Sequence, residues 1–155
     1  MRNKHLLTIL ILAVAVVLTG CDRNKVYSHY EHVPQGGWDK TDTLFFEVPP
    51  VKEAGTYQEE IGIRTDLDYP FQSLALVVAQ EIHPKGDILQ TVKNCTLYDE
   101  SGKERGNGIS RFQNVIYLSD IQLEKGESLR ICITHNMRRE MISGLSDIGM
   151  ILTKK

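Results

Sequence analysis

Basic residues are neither in excess nor clustered along this sequence. The chain of 155 residues contains 18 Lys and Arg against 20 Asp and Glu. Arg2 and Lys4 are the only charged residues of positions 1–20, so 16 bases and 20 acids remain after them, a net charge of −4. Nucleic-acid backbones are bound by clustered Lys and Arg. The composition therefore gives no reason to expect a nucleic-acid partner.

Motifs of catalysis and of metal binding are also missing. The run Gly144–Gly149 resembles a nucleophile elbow but places its second glycine one residue late. The glycine-rich stretch 102–108 lacks the closing Gly-Lys-Ser/Thr of a phosphate-binding loop. His29 and His32 would share a face and bind a metal only if their segment were helical. We therefore expect no enzymatic activity, no cofactor and no metal site.

The sequence has no apolar run of the ~20 residues that a membrane-spanning helix needs. Its longest run, Leu6 to Leu18, is interrupted only by Thr8 and follows Arg2 and Lys4. A charged start and a short apolar core are typical of a signal peptide. The pattern predicts that residues 1–20 direct export.

The signal segment ends in Leu18-Thr19-Gly20-Cys21, which looks like the lipobox of bacterial lipoproteins. In that pattern the peptide is cut before the cysteine, whose thiol carries a diacylglyceryl group, and a further acyl chain such as palmitate joins the new N-terminus. Each buried methylene contributes ~0.8 kcal/mol, so two or three chains anchor a protein stably. We expect Cys21 to be lipidated and the protein to lie in the cell envelope, on the inner or the outer membrane.

Cysteine is otherwise scarce, since only Cys95 and Cys132 follow Cys21. Both lie in strand-like runs, 37 positions apart. An exported domain can hold a disulfide, but the sequence does not show whether the two residues come close enough to form one. The sequence is therefore compatible both with a disulfide between the two cysteines and with two free thiols.

Helical periodicity is weak, and only residues 136–145 could form a short helix. Strand-like runs dominate instead. Leu129, Ile131 and Ile133 alternate with polar residues, the clearest period of two in the chain. The continuous apolar run Leu74–Ala79 is typical of a strand buried on both faces. Runs between Pro, Gly and Asp turn signals are found at 44–48, 57–65, 74–79, 88–98, 115–118, 129–134 and 147–153.

Seven or more strands without intervening helices favour an antiparallel β-sandwich, with a jelly-roll-like arrangement as the specific expectation. The sequence thus divides into a lipoprotein signal peptide (1–20), a lipidated Cys21 with a tether (21–37) and an all-β domain (38–155). Tyr27 and Tyr30 of the tether are apolar enough to dock on that domain.

Several motifs together resemble the GldH family of gliding-motility lipoproteins. They are the lipobox, the opening Trp38-Asp39-Lys40, the central Asp68-Tyr69-Pro70-Phe71, and the closing Met137-Arg138 followed by Asp147-Ile148-Gly149. The resemblance covers most of the mature chain but cannot be followed between Cys95 and Phe112. It implies a lipoprotein of the envelope that has no catalytic residues.

Five residues are the candidates for contacting a partner: Trp38, Tyr69, Phe71, Met137 and Arg138. Loops on a rigid sandwich often carry binding sites, and aromatic residues, Met and Arg are enriched at protein interfaces. Trp38 and Phe71 could instead close the end of the core. The leading hypothesis is a non-enzymatic, membrane-anchored module that binds envelope proteins. The alternative is a carbohydrate-binding lipoprotein, in which aromatic loops stack on a glycan.

Overall fold

The structure is a computed structural model that describes residues 24–155. The predicted signal peptide and Cys21 lie outside this range. Every regular element of the described residues is a β-strand, so the short helix considered for residues 136–145 is wrong: this segment bends and forms a two-residue strand. The strands are β1 (Lys25–His32), β2 (Trp38–Asp39), β3 (Leu44–Val48), β4 (Gly55–Asp66), β5 (Ser73–His83), β6 (Asp87–Thr96), β7 (Asn107–Gly108), β8 (Arg111–Leu123), β9 (Ser128–His135), β10 (Met141–Ile142) and β11 (Leu145–Lys154).

Two antiparallel sheets pack face to face, which confirms the predicted β-sandwich. One has five strands in the order β1-β11-β4-β8-β7, and the other has four in the order β3-β9-β5-β6. If the eight long strands are numbered in sequence, the sheets read 1-8-3-6 and 2-7-4-5, the strand order of a jelly roll. The short strands β2 and β10 pair separately as a small ribbon.

The core lies between the sheets, as the period of two in β9 predicts. Leu129 is 1% exposed and Ile131 and Ile133 are 0% exposed. They face the apolar inner side of the five-stranded sheet, which includes Ile61 and Met150. The alternation therefore sets which face of this strand enters the core.

The expectation that the run Leu74–Ala79 is buried on both faces is wrong. Leu74, Leu76 and Val78 are 0% exposed, whereas Ala75, Val77 and Ala79 remain partly open to solvent. The outer side of the four-stranded sheet has no covering layer in the described residues. Small and β-branched side chains tolerate this half-buried position.

Residues 25–32, which the sequence assigned to the tether, form an edge strand of the larger sheet. Strand β1 pairs with β11 from Lys25 opposite Thr153 to His32 opposite Asp147. Residues of the predicted tether therefore contribute a strand to the sandwich. The docking expected of Tyr27 and Tyr30 takes the form of strand pairing.

The cysteines of the described residues are both free. Through β5, Cys95 lies opposite Leu74 and Cys132 lies opposite Ala79. Five positions along a strand correspond to about 17 Å and to opposite faces of the sheet. Burial raises the pKa of the Cys95 thiol to about 11, so this thiol stays protonated. The two cysteines cannot form a disulfide in this fold.

The sandwich has two distinct ends. The near end carries Asn24, the C-terminal Lys155 and the connections 49–54, 84–86 and 124–127. The far end carries the connections 33–43, 67–72, 97–110 and 136–144. With ten residues, β11 separates the two ends by about 33 Å. Residues 24–155 contain no helix of the length and apolarity needed to traverse a bilayer.

Candidate functional site

Trp38 closes the far end from inside the fold. It begins β2, which the ribbon with β10 holds across the end of the sandwich. Its side chain is 0% exposed and its indole Nε1 donates a hydrogen bond to the carbonyl of Asp42 at 3.0 Å. The indole also meets the His135 ring edge to face, with 5.4 Å between the centroids. This geometry matches the core-closing interpretation and leaves no indole surface for a partner.

His135 connects the buried Trp38 to the loop that follows β9. It is 2% exposed, its Nδ1 accepts a hydrogen bond from the Met137 N–H at 3.4 Å, and its Nε2 donates to the Glu140 carbonyl at 3.2 Å. Burial lowers the pKa of the imidazole below its ordinary value. The neutral form with a proton on Nε2 satisfies both contacts. The loop 136–144 therefore depends on an uncharged His135.

Met137 fixes the backbone of this loop and Arg138 extends from it. The Ala75 N–H lies 3.3 Å from the Met137 sulfur, and the Lys40 ammonium donates to the Met137 carbonyl at 3.1 Å. Met137 is half-buried against the core, whereas Arg138 is exposed. The chain thus presents the Arg138 guanidinium from an anchored backbone, which lowers the entropic cost of binding through it.

Tyr69 and Phe71 bring the 67–72 connection against the same loop. Tyr69 is 5% exposed and donates from its hydroxyl to the Ser73 carbonyl at 3.0 Å. A Cβ atom on Gly144 would lie 2.5 Å from the Tyr69 Cα, so the close approach requires glycine. Phe71 remains partly exposed, and the Arg139 guanidinium lies 5.8 Å from its ring centroid.

The five candidates therefore converge at one end but differ in accessibility. Trp38 and Tyr69 belong to the core, Phe71 and Met137 are partly exposed, and Arg138 is exposed. We define the far-end surface as Phe71, Met137, Arg138 and Arg139, which lie on two adjoining loops.

A second group beside the far end was not found from the sequence. Tyr30 of β1 lies across two glycines on the outer face of the five-stranded sheet. A Cβ on Gly62 would overlap the Tyr30 hydroxyl oxygen, and one on Gly149 would be 2.6 Å from the ring. The Arg64 guanidinium covers the other side of the ring at 4.0 Å from its centroid. Glycine within a strand signals such a close approach, but the sequence does not name the residue that approaches.

Asp147 ties this group to the far end. Its side chain is 4% exposed and contacts the His32 imidazole through Nδ1, and the Arg64 guanidinium lies 3.8 Å away. The Ser146 hydroxyl donates to Asp147 Oδ2 at 2.9 Å. These contacts give the Asp-Ile-Gly motif a structural basis: the aspartate binds neighbouring side chains, and the glycine makes room for Tyr30.

A further buried carboxyl joins the two sheets. Glu59 of β4 accepts hydrogen bonds from the Gln80 amide of the opposite sheet and from the Ser119 hydroxyl, the latter at 2.6 Å. Burial is the main cause that raises the pKa of this carboxyl. It is 0% exposed, so it has no direct access to a substrate.

The described residues contain no group of three or more His, Cys, Asp or Glu that could hold a metal ion. His29 and His32 lie on a strand, three positions apart, and therefore point to opposite faces. His29 approaches the Phe46 ring between the sheets, and His32 pairs with Asp147 on the outer side. The pair considered for metal binding is thus separated by the sheet.

Comparison with known proteins decides the family. The family model described as GldH lipoprotein matches residues 25–152. The chain belongs to the GldH lipoprotein family. Membership in the GldH family confirms the resemblance drawn from the sequence motifs and makes the protein a membrane-associated lipoprotein.

Two GldH relatives match over nearly their whole length. The gliding motility lipoprotein GldH of Flavobacterium johnsoniae is 25% identical, covering 94% of this chain and 95% of the relative. The GldH homolog of Christiangramia forsetii is 22% identical, covering 99% and 98%. Among solved structures, a family GH115 4-O-methyl-α-glucuronidase aligns at 15% identity and a TM-score of 0.48 over 87% of this chain and 18% of its own. That similarity is too distant to bear on function.

Proposed function

We propose that this GldH-family protein is a membrane-anchored, non-enzymatic module that binds another envelope protein through its far-end surface. The observation that supports this most is the separation of the two ends. The described chain begins at the near end, three residues after the predicted lipidation site Cys21, whereas the family motifs meet about 33 Å away. A lipid anchor at one end leaves the other free to meet a partner.

Anchoring through Cys21 belongs to the same proposal and has its own test. Cys21→Ser removes the sulfur that forms the thioether, so the variant should stay uncut and unlipidated. Mass spectrometry of the N-terminal peptide should find acyl chains on Cys21 of the unaltered protein. An unaltered protein that is cleaved elsewhere and carries no lipid would refute the anchor.

The chemistry of the far-end surface suits a protein partner. Arg138 is exposed beside the half-buried Met137, and Arg139 lies over the partly exposed Phe71. Arginine beside aromatic and Met side chains is the composition of interface hot spots. Exposed charges of both signs surround it, including Lys40, Asp68 and Glu140.

Carbohydrate binding finds less support. That alternative depended on aromatic side chains in loops, which stack on sugar rings. Trp38 is 0% exposed and Tyr69 is 5% exposed. Of the three aromatics considered for this role, only Phe71 offers part of its ring, and Arg139 already approaches it.

Arg138→Ala is the variant that tests the proposed surface. Affinity capture from detergent-solubilised envelope should lose the partner, because truncating a hot-spot residue costs about 2 kcal/mol or more and arginine is enriched among hot spots. The melting temperature should not change, since the Arg138 side chain is exposed.

Arg130→Ala provides the matched control. Arg130 is also exposed, but it lies on the outer face of the four-stranded sheet, where its Nε donates to Glu47 at 2.9 Å. It should leave capture intact. Equal capture by both variants would place the binding site elsewhere and refute the far-end assignment.

The two curated relatives are named for gliding motility, and we propose that this protein takes part in the same process. Colony spreading by a strain that carries Arg138→Ala, compared with one that carries Arg130→Ala, extends the capture experiment to the cell. Unimpaired spreading of the Arg138 strain, at normal protein level, would contradict this role.

A further inference from the structure

The near end must lie close to the lipid anchor. Asn24 is three residues after Cys21 and its carbonyl accepts a hydrogen bond from the Lys154 N–H at 2.8 Å. Three residues span at most about 11 Å when fully extended. If Cys21 is lipidated, as proposed above, the near end cannot move farther than this from the attachment point.

Four lysines surround a cavity of about 580 Å³ at this end: Lys25, Lys52, Lys154 and Lys155. Among residues 24–155, Glu53 is the only acidic side chain in its lining. Lys154 pairs with Glu53, and Lys155 lies 2.5 Å from Asp120. Lys25 and Lys52 make no ion pair with a carboxylate of residues 24–155, and both are exposed. The cavity rim therefore holds four lysines, two of them paired with Glu53 and Asp120, whereas residues 21–155 carry a net charge of −4.

The lining of the cavity is also partly apolar. Val48 and Val51 are 3% and 6% exposed there, and Tyr57 donates from its hydroxyl to the Glu53 carbonyl at 2.6 Å. Val26, beside the chain that leads to Cys21, is 42% exposed. A rim of lysines over an apolar floor matches a molecule with a charged head and a hydrocarbon body.

We propose that the near end docks on the bilayer surface, where its four lysines bind the phosphate groups of anionic phospholipids. Lysine ammonium groups bind phosphate as compact point charges. Attraction between basic residues and an anionic leaflet acts within a Debye length, about 8 Å at physiological salt. The three-residue span from Cys21 to Asn24 limits the separation to about 11 Å, which is comparable with this length. Docking would also hold the far-end surface away from the membrane, facing its partner.

The test uses the mature lipoprotein reconstituted into vesicles of phosphatidylcholine, with or without phosphatidylglycerol. A membrane-impermeant amine reagent modifies accessible lysines, and mass spectrometry measures each site. Labelling of Lys52 and Lys155 should fall severalfold when phosphatidylglycerol is present, and high salt should restore it. Lys40 and Lys103, at the far end, should be labelled equally in both vesicles.

The double variant Lys25→Gln/Lys52→Gln removes the two lysines that have no ion-pair partner in the described residues, so the fold should be retained. Protection of Lys155 by phosphatidylglycerol should then be lost, whereas the control variant Lys103→Gln should keep it. Equal labelling of Lys155 in both vesicles, or protection that the double variant does not change, would overturn the inference.

Two other outcomes can be distinguished from those above. Protection by inorganic phosphate in pure phosphatidylcholine vesicles would indicate a soluble phosphate ligand and overturn the lipid assignment. A protein that floats with neither kind of vesicle would refute the anchor and, with it, this docking. Partner capture through Arg138 is measured separately, so the near-end inference can fail while the far-end proposal stands.

Discussion

Replacing Gly149 by alanine tests the packing of Tyr30 on the outer face of the larger sheet. A Cβ atom at this position would lie 2.6 Å from Cδ1 and Cε1 of Tyr30 and 2.7 Å from Cζ. The Arg64 guanidinium stacks on the other side of the ring, 4.0 Å from its centroid, and restricts movement of the ring away from the sheet. The added methyl must therefore displace the ring or separate β1 from β11.

The expected cost follows from the size of this clash. Adding a methyl group to a well-packed site typically costs about 1–3 kcal/mol. In a Tyr30→Ala background the ring is absent, and alanine should instead be better than glycine in a strand by about 0.5–1 kcal/mol. The two substitutions should thus be coupled by about 1.5–4 kcal/mol, in the upper part of the range for residues in contact or above it.

Urea unfolding of residues 22–155 measures this double-mutant cycle. Gly149→Ala should lower the free energy of unfolding in the unaltered protein and leave it unchanged or raised in the Tyr30→Ala background. If the cost were the same in both backgrounds, Tyr30 would not be the reason that glycine is needed, and the packing described here would be refuted.

Three further predictions concern stability. Ile131→Ala should lower the free energy of unfolding by about 2–5 kcal/mol, because the side chain is wholly buried; Arg130→Ala, on the opposite face, should barely change it in the same urea melts. Burial raises the pKa of the Glu59 carboxyl in the folded protein above its value in the unfolded chain. The carboxyl therefore stabilises the fold fully below the pKa of the unfolded chain, and this contribution is lost as the pH rises through the pKa of the folded protein. Glu59→Gln should flatten that part of the melting profile, and an unchanged profile would contradict this. Burial lowers the pKa of the His135 imidazole in the folded protein below its ordinary value of 6.5. The stability that is present above pH 6.5 is therefore lost as the pH falls through the lower pKa of the folded protein. His135→Phe should reduce that acid-side loss; a loss of the same size would show that another group causes it.

The strands of the inner core could be predicted because their sequence reports their environment directly. In β9 the aliphatic residues Leu129, Ile131 and Ile133 face the core and the residues between them face outward, so the pattern of residue types in the sequence matches the pattern of burial. Strand β1 gave no such signal. As an edge strand with much of its length exposed, it has little apolar surface to bury, and pairing with β11 determines its conformation.

The candidate residues illustrate the same division. Their positions between the long strands were predicted from the sequence, and the structure brings all five to the far end. Whether each side chain is buried was not evident, because Trp38 and Arg138 both occupy short loop motifs. Burial depends on the neighbours that other segments supply, such as His135 beside Trp38.

The sequence alone thus determined the family, the all-β class and the approximate limits of most strands, since these depend on local residue pattern and on short motifs. Tertiary structure alone decided that Tyr30 lies across Gly62 and Gly149, and that Lys25 of β1, Lys154 of β11 and Lys52 of the 49–54 connection share one end. Those groupings join residues more than a hundred positions apart. They exist only because the jelly-roll topology places the first and last strands side by side, a long-range pairing that no local pattern encodes.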